Sequence, residues 1–219
     1  YLSIQRSLDE KDRIIIIDDR TTEDTLKWME QNTKAQFSIH KVPSMAELRV
    51  NHPYPTYHPV LANSCPQLME FLIELSEQNK DELIYVCEDD YLHYNDCLRR
   101  MKDFFNTFPD YFCHPTDYPD LYKKDVTQQS EVMVVNDWHW RSIKNTTYTF
   151  AFKRHMFSKY NEVFTSVTSS LFWAHVYNIL YVFEKCFSPI PSLTSHIENN
   201  CLPPCVDTKK IFLKEFQQT

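Results

Sequence analysis

Three adjacent carboxylates, Glu88-Asp89-Asp90, follow the apolar run Leu83-Ile84-Tyr85-Val86-Cys87. Like charges packed this closely repel, and the repulsion opposes folding unless a cation or buried donors offset it. A hard divalent cation such as Mg2+ or Mn2+ is the natural partner, because it prefers oxygen ligands and keeps positions open for substrate phosphates. The plainer alternative is a solvated acidic turn. A second acidic pair, Asp18-Asp19, closes the run Ile14-Ile15-Ile16-Ile17. Further on, Asp137 stands beside Trp138, His139, Trp140 and Arg141. Aromatic rings there could stack on sugar faces, and the guanidinium could hold a phosphate or carboxylate bidentately. Alternatively, one of the tryptophans is core and Asp137 caps a turn. His196 follows a proline-rich segment, and Glu198, two residues on, shares its side of an extended chain.

The elements that must position these groups are readable from periodicity. The apolar runs 13–19 and 83–87 predict strands buried on both faces, as in a parallel sheet. Residues 36–42, 131–135, 147–152 and 187–194 predict further strands, the last interrupted by proline. Thr21-Thr22-Glu23-Asp24 has the form of a helix start leading into Leu26, Trp28 and Met29. Helical spacing also covers 65–78, 95–108, 154–165 and 168–185. Prolines mark 50–59 as a loop, 109–127 reads as irregular, and 199–219 as a closing tail. Alternating strands and helices predict one α/β domain over 1–219 with a mainly parallel sheet. Ligands of such sheets sit beyond the carboxyl ends of the strands, where both acidic clusters fall.

Composition narrows the function. The chain has 219 residues, 42% of them hydrophobic, which suits one globular domain with a real core. A formal net charge of -7 argues against non-specific nucleic-acid binding, which needs a cationic face. No apolar run approaches the roughly 20 residues that span a bilayer, and no signal peptide is visible. Seven scattered cysteines suit free thiols in a reducing compartment, so a cytoplasmic location is expected. Cys201 and Cys205 lack a second pair to complete a zinc site. The chain has no glycine, where average usage would give roughly 15. Either other residues have replaced every one, or the glycines have been lost from the sequence.

Several blocks carry a family resemblance. Ile84-Tyr-Val-Cys-Glu-Asp-Asp-Tyr-Leu-His93 resembles the Glu-Asp-Asp variant of the Asp-x-Asp motif of GT-A glycosyltransferases. Ile14 to Asp19 followed by Thr21-Thr22 resembles the early strand of the same fold. The segments 114–122, 139–142, 146–151 and 188–196 look like those of bacterial and viral glycosyltransferase-like proteins. Together these matches span most of 13–210.

The resemblance implies a GT-A-like three-layer sandwich with a mainly parallel central sheet. It also implies a metal-dependent enzyme that moves a sugar from a nucleotide-diphosphate donor to a carbohydrate or other hydroxyl acceptor. Mn2+ or Mg2+ would be held mainly by Asp90, with Glu88 or Asp89 in support and His196 as a further ligand. Asp18 and Asp19 would contact the nucleoside, and Asp89 and Arg141 would complete the donor site. In an inverting enzyme a carboxylate takes the acceptor proton, and Asp137 and Glu198 are the candidates. Two departures stand out. Asp207-Thr208 keeps a late acid without the family's tryptophan, and Ser169-Ser-Leu-Phe-Trp173 has no acid at the start of the late helix. A sugar nucleotidyltransferase and a non-catalytic carbohydrate-binding protein are the alternatives.

Overall fold

In the computed structural model, the structure describes residues 1–18, 20–41, 81–123, 129–147, 149–160, 180–198 and 200–216. The loop predicted at 50–59, the helix at 65–78 and most of the helices after 160 lie outside these residues.

Strand β1 (Arg13–Asp18) pairs in parallel with β2 (Gln36–Lys41) in a two-stranded sheet. Helix α2 (Glu23–Gln31) joins them, after a short α1 (Leu2–Gln5). The predicted start of α2 holds: Thr22 is the N-cap, and its side chain accepts from Thr25 N. The main sheet has six strands, in the order β3 (Leu83–Val86), β8 (Phe150–Lys153), β5 (Phe112–Cys113), β9 (Cys186–Ile190), β7 (Trp138–Ile143), β6 (Val132–Val135). Between β3 and β5 in the chain come β4 (Tyr91–His93) and the helix α3 (Cys97–Thr107). After β8 comes α4 (Arg154–Lys159), and after β9 come β10 (Thr194–His196) and α5 (Thr208–Phe216).

This topology corrects the expected mainly parallel sheet. β3–β8, β8–β5, β9–β7 and β7–β6 are antiparallel, and only β5–β9 runs parallel. The physical reason is that a continuous apolar run reports burial and says nothing about the direction of its neighbour. Here β3 is such a run, yet its partner β8 opposes it.

Alternation along the strands builds the core on both faces of this sheet. Phe112, Ile143, Phe150, Phe152 and Cys186 point to one face, where Met156 and Phe157 of α4 and Leu180 meet them. Cys113, Trp140, Ala151 and Phe187 point to the other, against Leu98, Met101, Phe104 and Phe105 of α3. Those α3 residues recur at helical spacing, so one stripe faces the sheet. Each buried phenylalanine contributes about 1.5–3 kcal/mol by leaving water.

With no glycine available, four other residues among those described take left-handed backbone: Arg20 (φ 70°), Asp96 (φ 66°), Asn136 (φ 45°) and Asp137 (φ 64°). Asn136 and Asp137 form the two-residue connection between β6 and β7. Positive φ at both positions is the turn that matches the twist of an antiparallel hairpin. Trp138–Ile143 is therefore a strand, where the sequence showed only a link between strands.

Candidate functional site

The antiparallel pairing of β4 with β10 sets Tyr91 opposite His196 and brings together residues far apart in sequence. Just before β4, Glu88, Asp89 and Asp90 lie beyond the end of β3, as expected. Asp90 Oδ2 lies 2.7 Å from Nε2 of His196, which is 106 positions away in the chain. Ile197 N donates to the Asp90 carbonyl at 2.8 Å, which fixes the turn beside the strand pair. The His196 ring stacks on Tyr91 at 4.9 Å, with 3° between the planes. Its Nδ1 lies 3.2 Å from Tyr118 Oη. A neutral imidazole protonated on Nε2 satisfies both contacts, donating to Asp90 and accepting from Tyr118. Tyr118 Oη in turn lies 2.6 Å from Tyr91 Oη, which lies 2.9 Å from Thr147 Oγ1.

Glu88 is half-buried. Its backbone N–H donates to Thr149 Oγ1 at 3.1 Å, and that hydroxyl donates to Glu88 Oε2 at 3.2 Å. Burial pushes the Glu88 carboxyl above its ordinary range, the Thr149 hydroxyl pulls it back, and the charge of Asp90 adds to the rise. Asp89 is exposed in the turn. Ligating atoms of His196, Glu198 and Cys201 lie within 4.8 Å of one another. One carboxylate, one imidazole and one thiol could hold a divalent cation, and the nitrogen and sulfur are softer donors than Mg2+ prefers.

Four sequence candidates thus gather at this end of the molecule: Glu88, Asp90, His196 and Glu198. Others do not join them. Asp18 is buried at the end of β1, where its Oδ1 accepts from Thr21 N at 2.8 Å. Among the described residues no hydrogen bond or ion pair links it to the cluster. Asp19 lies outside the described residues. Arg141 is sealed in an ion pair with Asp117 and lies over the Tyr122 ring at 4.3 Å, so it is not presented to a phosphate. Asp137 is exposed in the β6–β7 turn. At about 3.4 Å per residue, β7 separates that turn from Ile143 by roughly 17 Å, and Ile143 is the end that lines the cavity beside the cluster. Trp140 is core, and Trp138 donates from Nε1 to the Pro191 carbonyl at 2.9 Å beneath Arg100.

Tyr91, Tyr118, His114 and Cys201 enter the site without having been singled out for it. His114 and Tyr118 lie in a segment that reads as an irregular loop. Nothing local in that segment shows that it folds against β10. The cavity beside the cluster, about 310 Å3, is lined in part by His114, Tyr118, Thr147 and Cys201. Six cysteines among the described residues are free thiols, as the scattered spacing suggested. No described helix is long and apolar enough to cross a membrane. No protein-family model matches the chain, and no curated protein matches it.

Proposed function

We propose that the chain transfers a sugar from a nucleotide-diphosphate donor to a hydroxyl acceptor with the help of a divalent cation, Mn2+ in preference to Mg2+. The observation that carries this reading is the approach of His196 to Asp90, two residues expected from the sequence resemblance to share a metal. Asp90 and His196 would hold the cation, beside a Glu88 carboxyl that the charge of Asp90 helps to raise. When bound, such an ion neutralises charge on a diphosphate leaving group. The chain's own residues do the rest. Tyr91 and Tyr118 fix the His196 ring from its face and from Nδ1. Thr149 orients Glu88. Glu198, exposed on the same rim, is the carboxylate placed to take a proton from an acceptor hydroxyl. Asp137 is at the far end of β7 and drops out of that role.

Calorimetric titration with a nucleoside diphosphate, with and without Mn2+, tests the reading. Binding should require the metal in the wild type and vanish in Asp90→Ala, while far-ultraviolet circular dichroism stays unchanged. Equal binding in the variant, or binding indifferent to Mn2+, would refute it.

A further inference from the structure

Strand β10 ends at His196, and the chain bends at once. Cys201 N donates to the Glu198 carbonyl at 2.9 Å, which closes a turn and carries Cys201 back beside Glu198. Cys201 Sγ lies 3.7 Å from Glu198 Oε2. Ligating atoms of His196, Glu198 and Cys201 all fall within 4.8 Å of one another, and Asp90 is not part of this group. The His196 ring is held by Tyr91 across its face and by Tyr118 at Nδ1. Whichever ring nitrogen binds an ion gives up one present partner, Asp90 or Tyr118. The imidazole and the thiol are half-buried and the carboxylate is exposed, so an ion reaches the group from solvent.

The donor set decides the ion. Tetrahedral zinc sits about 2.3 Å from a thiolate sulfur and about 2.0–2.2 Å from a carboxylate oxygen, which sets those two donors about 3.5 Å apart. The 3.7 Å between Cys201 Sγ and Glu198 Oε2 is close to that spacing. At a site of nitrogen, oxygen and sulfur donors Zn2+ binds more tightly than Mn2+. Mg2+, which wants oxygen ligands in near-ideal octahedral geometry, is disfavoured by the same donors. Three protein ligands leave the fourth tetrahedral position to water, as in open zinc sites. Cys201 has no second cysteine pair to complete such a site, and the donors that stand in for one are a histidine and a glutamate just upstream of it.

We propose that His196, Glu198 and Cys201 form a zinc site of their own, completed by water and independent of Asp90. On binding, the Cys201 thiol gives its proton to solvent, and the thiolate, the imidazole and the carboxylate each donate a lone pair to the ion. The site itself needs nothing from the transferase reading. One consequence does rest on that reading: zinc takes His196 from the Asp90 pair and occupies Glu198, so the zinc-loaded chain has neither its cation site nor its acceptor base and is an inhibited form.

The test uses the full chain with Co2+ as the probe, because Co2+ enters tetrahedral zinc sites and a coordinated thiolate gives it a near-ultraviolet charge-transfer band. Titration with Co2+ should raise that band to saturation, and Zn2+ should then bleach it. Cys201→Ser should remove the band. Glu198→Gln should weaken Zn2+ binding, read by competition against Co2+, by about 100-fold or more, since loss of an outer-shell partner alone costs about 10–100-fold. Cys205→Ser, at the exposed thiol next along the chain, and Asp90→Ala should each keep the band. Far-ultraviolet circular dichroism checks that every variant is folded. A band that never forms, that survives Cys201→Ser, or that is lost in folded Cys205→Ser or Asp90→Ala overturns the proposal. Mn2+-dependent nucleoside diphosphate binding is measured on the same samples. If it is absent while the cobalt band forms, the transferase reading falls and the zinc site stands; if it is present and the band never forms, only the zinc site falls. Where both hold, Zn2+ should suppress the nucleotide binding, and binding indifferent to bound zinc overturns the shared use of His196.

Discussion

Asp117–Arg141 and Asp90–His196 are both carboxylates paired with a nitrogen donor, and the neighbours Asp117 and Tyr118 touch one pair each, yet the two pairs differ in what they leave open. Asp117 has a fully buried side chain, and Arg141 is 10% exposed. Tyr122 donates to the second Asp117 oxygen, and Asp117 N donates to Ser192 Oγ at 2.9 Å. Burial pushes the Asp117 carboxyl up, and Tyr122 and Arg141 pull it part of the way back. Asp90, by contrast, is 51% exposed against a His196 that is 15% exposed. One pair is enclosed, although Arg141 Nε has no partner among the described residues. The other keeps an open flank, with Glu198 and Cys201 beside it. Enclosure, more than charge, separates a polar group that holds the fold from one that can bind.

The comparison can be broken most directly at Asp117. Asp117→Ala leaves the Arg141 guanidinium buried without its anion and should cost about 3–5 kcal/mol, read as a lower urea midpoint. Acid titration gives the next largest effect, through the buried histidines. Burial, foremost, lowers the pKa of His93 to about 3 and that of His114 to about 4, from ordinary values near 6.5. Between those limits the unfolded chain binds more protons than the folded one. Stability is therefore fully present above about pH 6.5 and falls as pH drops towards 4, by up to roughly 1.4 kcal/mol per pH unit for each histidine. Urea unfolding at several pH values measures this slope; a flat profile across the window would show that the rings are not sealed from water. The smallest expected effect is the one that sharpens the contrast. Asp90→Ala should change stability by less than about 1 kcal/mol, because Asp90 is exposed. If it costs as much as Asp117→Ala, the open pair is a structural device after all.

Much of this was legible along the chain. The apolar runs located β1 and β3, Thr22 announced α2, and the stripe from Leu98 to Phe105 announced α3. The acidic turn after β3 was visible as a candidate cation site, and His196 could be attached to it only through a family resemblance. Strand direction was hidden, because Leu83–Val86 looks the same beside a parallel or an antiparallel neighbour. The β6–β7 hairpin was hidden for a different reason: its usual signal is Asn-Gly, and here Asp137 takes the place of glycine at φ 64°. The partner of Arg141 was invisible because Asp117 lies 24 positions away in an irregular segment. His114 stood in the sequence only as part of the resembling block 114–122, and its contact with the Thr149 carbonyl, 35 positions away, was hidden.

The β4–β10 pairing also has a consequence in time. A ribosome delivers Asp90 long before His196, and domains generally organise from the N-terminus as they emerge. Until residue 196 is out, the acidic turn has no imidazole to meet, and the two strands that align them cannot pair. Formation of the Asp90–His196 contact during synthesis would therefore mark the moment at which β4 and β10 have met.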